Sequence, residues 1–190
     1  MITVRHERKI DVAARENLLD VSFGEGRFAK TSERLREGRL PTSGLSFVAI
    51  ERGCVVGTVR LWHITAGPGR PALLLGPLAV APESRNRGIG SALMRRALRE
   101  ALHLGHRAAL LVGDALYYGR FGFSSEKTGA LWLPGAFERH RLLGCELALG
   151  ALDGAQGLIS ATGALEPKPE LATLIARVDG CSPPAIAQAA

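Results

Sequence analysis

One stretch of this chain, residues 77–104, constrains the fold more than any other. It begins within an apolar run that ends near Val80, continues through the glycine-containing loop ESRNRGIGS and ends with the amphipathic segment ALMRRALREALHL. A strand that feeds a glycine loop and then a helix gathers unpaired backbone N–H groups and the positive end of a helix dipole at one point. The stretch therefore predicts a site for an anion, a phosphate in particular.

The segments on either side predict one α/β domain. In order, the chain gives a strand, two helices, three strands, a helix, a strand, a short helix and further strands. The second helix is charged and spans residues 28–37, and the last strands are predicted in three apolar segments: GFSS, GALWL and RLLGCELALGAL. After Gly163 the composition turns to EPKPE and a tail rich in Pro and Ala, so we expect residues 164–190 to be a C-terminal extension, partly ordered at best.

Proline interrupts the predicted fourth strand, residues 72–80. Pro77 has no N–H to give to a neighbouring strand, so a bulge or a departure from one neighbour is expected there. Either arrangement leaves an open backbone edge beside the glycine loop.

Composition excludes several classes of protein. The longest apolar runs are far too short to cross a bilayer, and charges occupy the N-terminus where an export signal needs an apolar core, so no membrane partner and a cytoplasmic location are expected. Three cysteines without C-x-x-C spacing argue against a disulfide framework and against a metal site.

The charge of the chain suits an anionic ligand. The formal net charge is +6, and the excess of basic residues falls in the part that contains the glycine loop. Aromatic residues make up only 5% of the chain and do not alternate with Arg and Lys, which argues against nucleic acid and leaves a phosphorylated small molecule as the expected ligand.

Two common phosphate-binding motifs do not match the loop. A dinucleotide fingerprint requires a third glycine where this chain has Leu93, and a P-loop requires Gly-Lys-Ser/Thr, which is absent. The residues present are Val80-Ala-Pro82 followed by Arg85-Asn-Arg-Gly88-Ile-Gly90. This pattern resembles the acetyl-CoA-binding signature of the GNAT acetyltransferase superfamily.

A second segment carries the same resemblance. Tyr118-Gly-Arg-Phe-Gly122-Phe123 is similar to the superfamily's downstream signature, a tyrosine followed by a Gly-Phe pair. The run from Gly113 to Phe123 is most similar to a bacterial branch of N-acetyltransferases with mostly unassigned acceptors. The resemblance implies an acetyltransferase domain over residues 1–163, with a single mixed, mostly antiparallel sheet flanked by helices and splayed between the predicted fourth strand and the fifth, residues 108–112.

The resemblance also implies where acetyl-CoA, the expected co-substrate, is held. The strand edge at Leu78 and Val80 would pair with pantetheine. Backbone amides of the loop would hold the pyrophosphate, with added charge from two arginine side chains; the residues concerned are Arg85, Asn86, Arg87, Gly88, Ile89, Gly90 and Ser91. Glycine in such a loop lets phosphate oxygens approach the backbone without a Cβ in the way.

Acyl transfer from a thioester needs a donor to the developing oxyanion, a proton for the leaving thiolate and a neutral amine. Following the superfamily pattern, the backbone N–H of Leu78 is the candidate oxyanion donor, and Tyr118 is the candidate acid. The alternative for Tyr118 is an aromatic side chain that packs against the sheet. No general base is assigned, because the predicted fourth strand has no carboxylate; the open candidates are Glu83, Asp114 and His63.

Several other side chains are candidates for a functional role, but the sequence does not favour such a role for any of them. Trp62 and Trp132 are expected in the core or at its rim rather than in an acceptor pocket. Cys145 lies in an apolar strand, and His140 is expected on the opposite face of that strand, so a covalent acyl-enzyme is not predicted.

The sequence thus predicts an N-acetyltransferase that joins acetyl-CoA and a small-molecule or peptide amine in a ternary complex, as a monomer or homodimer. Alternatives stay open at this point. The domain could transfer another acyl group, act on a protein amine, or bind CoA as a sensor without catalysis. A weaker alternative is a nucleic-acid binder that acts through the basic part of the chain.

Overall fold

The computed structural model describes residues 1–167 of the 190-residue chain. Its strands are β1 (Ile2–His6), β2 (Ser46–Glu51), β3 (Cys54–Ala66), β4 (Pro71–Val80), β5 (Ala108–Val112), β6 (Leu131–Trp132), β7 (Leu142–Glu146) and β8 (Gly157–Ala161). Its α-helices are α1 (Val12–Phe23), α2 (Ile89–His103) and α3 (Ala115–Tyr118).

The strands form one mixed sheet in the order β1-β2-β3-β4-β5-β7. Neighbouring strands in this path are antiparallel except for β4 and β5, which are parallel. β8 pairs with the far end of β3 and with the short β6. The predicted fold class, a mixed and mostly antiparallel sheet, is confirmed.

Apolar side chains on the two faces of the sheet build two cores. α1 and α2 cover one face, and α2 does so because Leu93, Met94, Ala97 and Ala101 recur at helical spacing and are fully buried. The other face is covered by loop segments and by β6 and β8, through residues such as Leu131. Each central strand is therefore buried on both sides.

The centre of the sheet opens where Pro77 interrupts β4. Leu61 pairs with Leu75 and Val59 pairs with Leu78, so β4 has one residue more than β3 between these two pairs. β5 pairs with β4 only at Leu73 and Leu74. Beyond that point, β4 pairs with β3 alone as far as Val80. The expected bulge and the expected splay between the fourth and fifth strands are both present.

The predicted second helix is wrong. Residues 25–37 contain two short 3₁₀ turns, Glu25–Ala29 and Glu33–Leu35, joined through Lys30 in an extended conformation. The hydroxyl of Thr31 donates a hydrogen bond to the carbonyl of Ala136, and the guanidinium of Arg34 donates one to the carbonyl of Pro134. These long-range anchors hold the segment out of a continuous helix, so tertiary contacts override its helical propensity.

The C-terminal strands also differ from the prediction. The GFSS segment contributes only an isolated bridge, between Ser124 and Gly144, because a single pair of hydrogen bonds joins it to β7. β7 ends at Glu146, whose carboxylate accepts a hydrogen bond from the N–H of Leu152 and so holds the turns that follow. β8 was not predicted, since its short run GLISA has neither strong apolar character nor a clear alternation.

Most of the predicted extension, 168–190, lies outside the described residues. Its first residues pack on the domain: the N–H of Leu40 donates to the carbonyl of Ala164, and the N–H of Glu166 donates to that of Gly38. None of the helices within residues 1–167 has the length and apolar character needed to cross a membrane.

Candidate active site

The backbone of β4 faces the opening at two residues. The N–H of Ala81 donates to the carbonyl of Val56, which lies directly opposite. Opposed residues of antiparallel strands alternate between bonded and non-bonded pairs, so Leu78 and Val80 form non-bonded pairs with β3. Their N–H and C=O groups therefore point away from β3, toward the gap left by β5.

The glycine loop presents a second set of free backbone donors. Asn86 and Gly88 both adopt left-handed conformations, with φ of 61° and 77°. The first hydrogen bond of α2 runs from the N–H of Ala92 to the carbonyl of Gly88. The N–H groups of residues 89–91 precede it and have no acceptor within the helix, which makes this helix start a suitable site for an anion.

A cavity of about 700 Å³ joins the strand edge to the loop. Its lining includes eight of the nine residues predicted to hold the cofactor: Leu78, Val80, Arg85, Asn86, Gly88, Ile89, Gly90 and Ser91. The ninth, Arg87, turns its guanidinium to Glu51, with two hydrogen bonds of 2.6 and 2.7 Å. Its side chain therefore lies outside the cavity.

Tyr117 and Arg120 complete this cavity, and the sequence analysis assigned neither. A Cβ at Gly90 would lie 2.5 Å from the hydroxyl oxygen of Tyr117, so glycine at this position makes room for the tyrosine. The guanidinium of Arg120 lies 4.6 Å from the centre of the Tyr117 ring. Arg120 lies within the second signature, two residues after the tyrosine. The positive charge of this side chain could have marked it in the sequence as a candidate for binding an anionic cofactor.

Tyr118 lies at the junction of this cavity and a smaller one of about 340 Å³. Its ring packs directly on the backbone of Gly113, where a Cβ would meet the ring at 2.2 Å. Burial raises the pKa of Tyr118 to about 12, with a smaller contribution from Tyr117. The phenol is therefore protonated at neutral pH and can donate a proton, although its ring also packs against the core as the alternative reading expected.

The smaller cavity lies between the diverging strands and borders the β4 bulge. β4 contributes Leu74, Leu75, Gly76, Pro77 and Leu78, the end of β5 contributes Val112, and the segment after α1 supplies the opposite wall. Six charged residues line it: Arg27, Lys30, Glu33, Arg36, Asp114 and Arg141. Phe23, Leu78, Tyr117 and Tyr118 border both cavities, so the two cavities meet at these residues.

The three candidate bases are placed differently. Asp114 lines the smaller cavity, where its carboxylate accepts a hydrogen bond from the N–H of Leu116 at 2.9 Å and caps α3. Glu83 is exposed and lines neither cavity, and His63 packs on His106 with their ring centres 5.3 Å apart. The structure thus brings only Asp114 of the three to the site.

Glu33 is a second carboxylate in the smaller cavity that the sequence analysis missed. It accepts a hydrogen bond from Arg36 at 2.6 Å. The segment that carries both residues reads as a charged surface helix in the sequence. No local signal indicated that it folds over the opening between β4 and β5.

The remaining singled-out residues line neither of these two cavities. Trp62 is buried, and its indole N–H donates to the carbonyl of Gly76 at 2.7 Å, which fixes the bulge; Trp132 is 54% exposed. Burial raises the pKa of the Cys145 thiol, which disfavours a thiolate nucleophile. His140 lies in a 3₁₀ turn before β7 rather than on the strand, and it is exposed.

Comparison with known proteins agrees with this geometry. A family model described as the acetyltransferase (GNAT) family matches residues 13–123. The uncharacterized N-acetyltransferase YhbS of Escherichia coli strain K12 is 32% identical over 163 residues, which cover 82% of this chain and 93% of that protein.

Two solved structures share the fold over most of the chain. The crystal structure of YhbS in complex with CoA has a TM-score of 0.70 and 30% identity, and the match covers 85% of this chain and 89% of that one. A GNAT acetyltransferase from Brucella melitensis in complex with acetyl-CoA has a TM-score of 0.62 and 27% identity, with 85% and 96% covered.

The chain therefore belongs to the GNAT family of acetyltransferases. This confirms the family that its two sequence signatures resemble and the enzyme class predicted from them, an acyltransferase that uses acetyl-CoA.

Proposed function

We propose that the protein transfers an acetyl group from acetyl-CoA to an amine by direct attack in a ternary complex. The observation that carries this proposal is the continuity of the open β4 edge, the free N–H groups at the start of α2 and Tyr118 around one cavity. The two relatives whose structures contain CoA and acetyl-CoA support the choice of ligand. A monomer or homodimer in the cytoplasm stays part of the proposal.

The residues fit two parts of the cofactor, its pyrophosphate and its pantetheine chain. The left-handed residues Asn86 and Gly88 and the N–H groups of residues 89–91 form a concave set of donors for a pyrophosphate. Arg85 and Arg120 line the same cavity and add positive charge. On the strand, Leu78 and Val80 offer the backbone groups with which an amide chain such as pantetheine can pair.

Bound acetyl-CoA supplies an activated thioester, and the chain supplies the donors around it. The N–H of Leu78 points into the gap and is placed to stabilise an oxyanion on the carbonyl. Tyr118, which stays protonated, donates to the departing thiolate. Asp114 or Glu33 accepts the amine proton, directly or through water, since both line the acceptor cavity.

Binding and transfer can be tested separately. We expect CoA and acetyl-CoA to raise the melting temperature of the protein, and we expect release of free thiol when a reactive amine is added. Tyr118→Phe should reduce kcat and leave the Kd for acetyl-CoA nearly unchanged. Absence of stabilisation by either nucleotide would refute the proposal, and stabilisation without transfer to any amine would favour the CoA sensor instead.

A further inference from the structure

The smaller cavity holds more positive charge than its own carboxylates can compensate. Glu33 is engaged by Arg36, and Asp114 caps α3. The charge of Arg27 is compensated by carboxylates outside the cavity, because Glu16 and Asp20 bind its guanidinium at 2.5 and 2.8 Å. Lys30 and Arg141 keep charges that no carboxylate of the cavity binds, and Arg36 keeps guanidinium donors that Glu33 does not use.

Arg36 is the most constrained of these cations. Its side chain is 8% exposed, and Nη2 is the one guanidinium nitrogen to which the described residues supply a hydrogen-bond acceptor, Glu33. Nε is fully buried without an acceptor among those residues. Nη1 lies against the β4 bulge, 3.7 Å from where a Cβ of Gly76 would stand. Glu33 therefore uses only one of the guanidinium nitrogens, and because Arg36 lines the cavity, Nη1 can donate to a ligand there.

Lys30 and Arg141 flank this guanidinium. The ammonium of Lys30 lies 4.3 Å from the centre of the Phe23 ring, and no carboxylate whose side chain the structure describes lies within 4.0 Å of it. Arg141 has only a long contact of 3.4 Å with the exposed Glu138. Burial lowers the pKa of Lys30, and the positive charges of Arg36 and Arg141 lower it further, so an anion beside Lys30 would be favoured.

The structure assigns an acceptor class to this cavity: a small amine that carries an anionic group, a carboxylate or a phosphate, bound by Lys30, Arg36 and Arg141. The inference rests on the proposed function, because the amine must reach a thioester at Leu78 and Tyr118. A volume of about 340 Å³ suits a small molecule. An anionic group would offset the repulsion of Lys30 by the two arginines and supply an acceptor for Nη1 of Arg36.

Matched pairs of amines test the inference by transfer and by binding. We expect β-alanine and 4-aminobutyrate to be acetylated with a kcat/KM at least about 10-fold above those of propylamine and butylamine, and phosphoethanolamine to exceed ethanolamine similarly. The same anionic amines should raise the melting temperature of the protein saturated with CoA, which is a readout independent of turnover. The carboxylate and phosphate pairs tell the two anionic groups apart.

Variants of Lys30 and Arg141 test whether these side chains cause the preference for anionic amines. Lys30→Gln and Arg141→Gln should each lower kcat/KM for the preferred anionic amine by about 10-fold, with little change for its uncharged match or in KM for acetyl-CoA. Lys30→Glu should reverse the preference. Arg99→Gln, on the exposed face of α2, is the matched control and should behave as the wild type.

The outcomes separate this inference from the proposed function. If acetyl-CoA binds but uncharged amines are equal or better acceptors, or if no anionic amine is transferred or stabilises the CoA complex, the inference is wrong and the proposed cofactor site stands. If Lys30→Gln raises KM for acetyl-CoA instead, the cation contacts the cofactor and the inference is overturned. A protein that does not bind acetyl-CoA overturns both.

Discussion

Replacing Gly113 with alanine tests whether Tyr118 acts through its exact position. A Cβ at Gly113 would lie 2.2 Å from Cε2 and 2.7 Å from Cδ2 of the Tyr118 ring. To restore an ordinary van der Waals separation, the ring must retreat by at least about 1.3 Å. Because Gly113 lies at the end of β5 and its N–H is bonded to the carbonyl of Arg141, the backbone cannot yield as readily as the ring.

The magnitude follows from this displacement. A misplacement of about 1 Å in an active site can cost about 10²-fold in rate, so we expect Gly113→Ala to lower kcat by about that factor. Overpacking of this kind costs about 1–3 kcal/mol of stability, which urea denaturation will measure. KM for acetyl-CoA should change little, because Gly113 does not line the cofactor cavity.

Two further variants decide whether the loss acts through the phenol. Gly119→Ala is the matched control: its φ of −55° is helical and no atom lies within 4 Å of its Cβ position, so activity should be unchanged. In a Tyr118→Phe background the steric conflict persists but the proton donor is already absent, so Gly113→Ala should then reduce stability without a further fall in kcat. A full 10²-fold loss in that background would refute the reasoning.

Three more predictions concern stability, pH and cofactor binding. Trp62→Phe removes a buried hydrogen bond and should lower the free energy of unfolding by about 1–3 kcal/mol in urea denaturation, whereas Trp132→Phe, at an exposed position, should change it by less than about 0.5 kcal/mol. The pKa of Tyr118 is raised from 10.0 to about 12 in the folded protein, so its stabilising effect is complete below pH 10 and is lost as pH rises toward 12. Between pH 9 and pH 11 the wild type should therefore lose about 1.4 kcal/mol more than Tyr118→Phe, and equal losses would contradict the assigned burial. In calorimetric titration, Arg120→Ala should weaken acetyl-CoA binding about 10-fold and Arg87→Ala by less, since Glu51 already holds Arg87.

The cavity beside the glycine loop was predictable in outline because most of its residues are close in sequence. A strand, a glycine loop and a helix follow one another within 72–103, and the N–H groups at the start of the helix are free because of local backbone geometry. The same holds for Tyr118, which reaches the site on a short helix that starts directly after β5. For such segments the order of elements along the chain already fixes which groups meet.

The acceptor side was not predictable, because three distant segments build it. Lys30 and Arg36 arrive on a segment whose composition suits a surface helix, Asp114 follows β5, and Arg141 precedes β7. Their meeting depends on Thr31 and other side chains that bond to carbonyls about a hundred residues away. Charge in the sequence indicated an anionic ligand, but only packing shows that part of that charge lines the smaller cavity.

The extra residue in β4 explains how a strand that contains a proline can still offer an N–H to the reaction centre. Before the bulge, the N–H of Leu61 donates to the carbonyl of Leu45, on the side of β3 that faces away from β4. Leu61 therefore forms a non-bonded pair with Leu75, and the backbone N–H and C=O groups of the odd-numbered residues of β4 point toward β5. Had the register continued unchanged, Pro77, which has no N–H, would face the gap. The bulge shifts the alternation by one residue, so Leu78 faces the gap instead and Pro77 is removed from that edge. The hydrogen bond from Trp62 to the carbonyl of Gly76 helps to hold this shift in place, and so a buried residue of β3 contributes to the direction of the Leu78 N–H that we propose as the oxyanion donor.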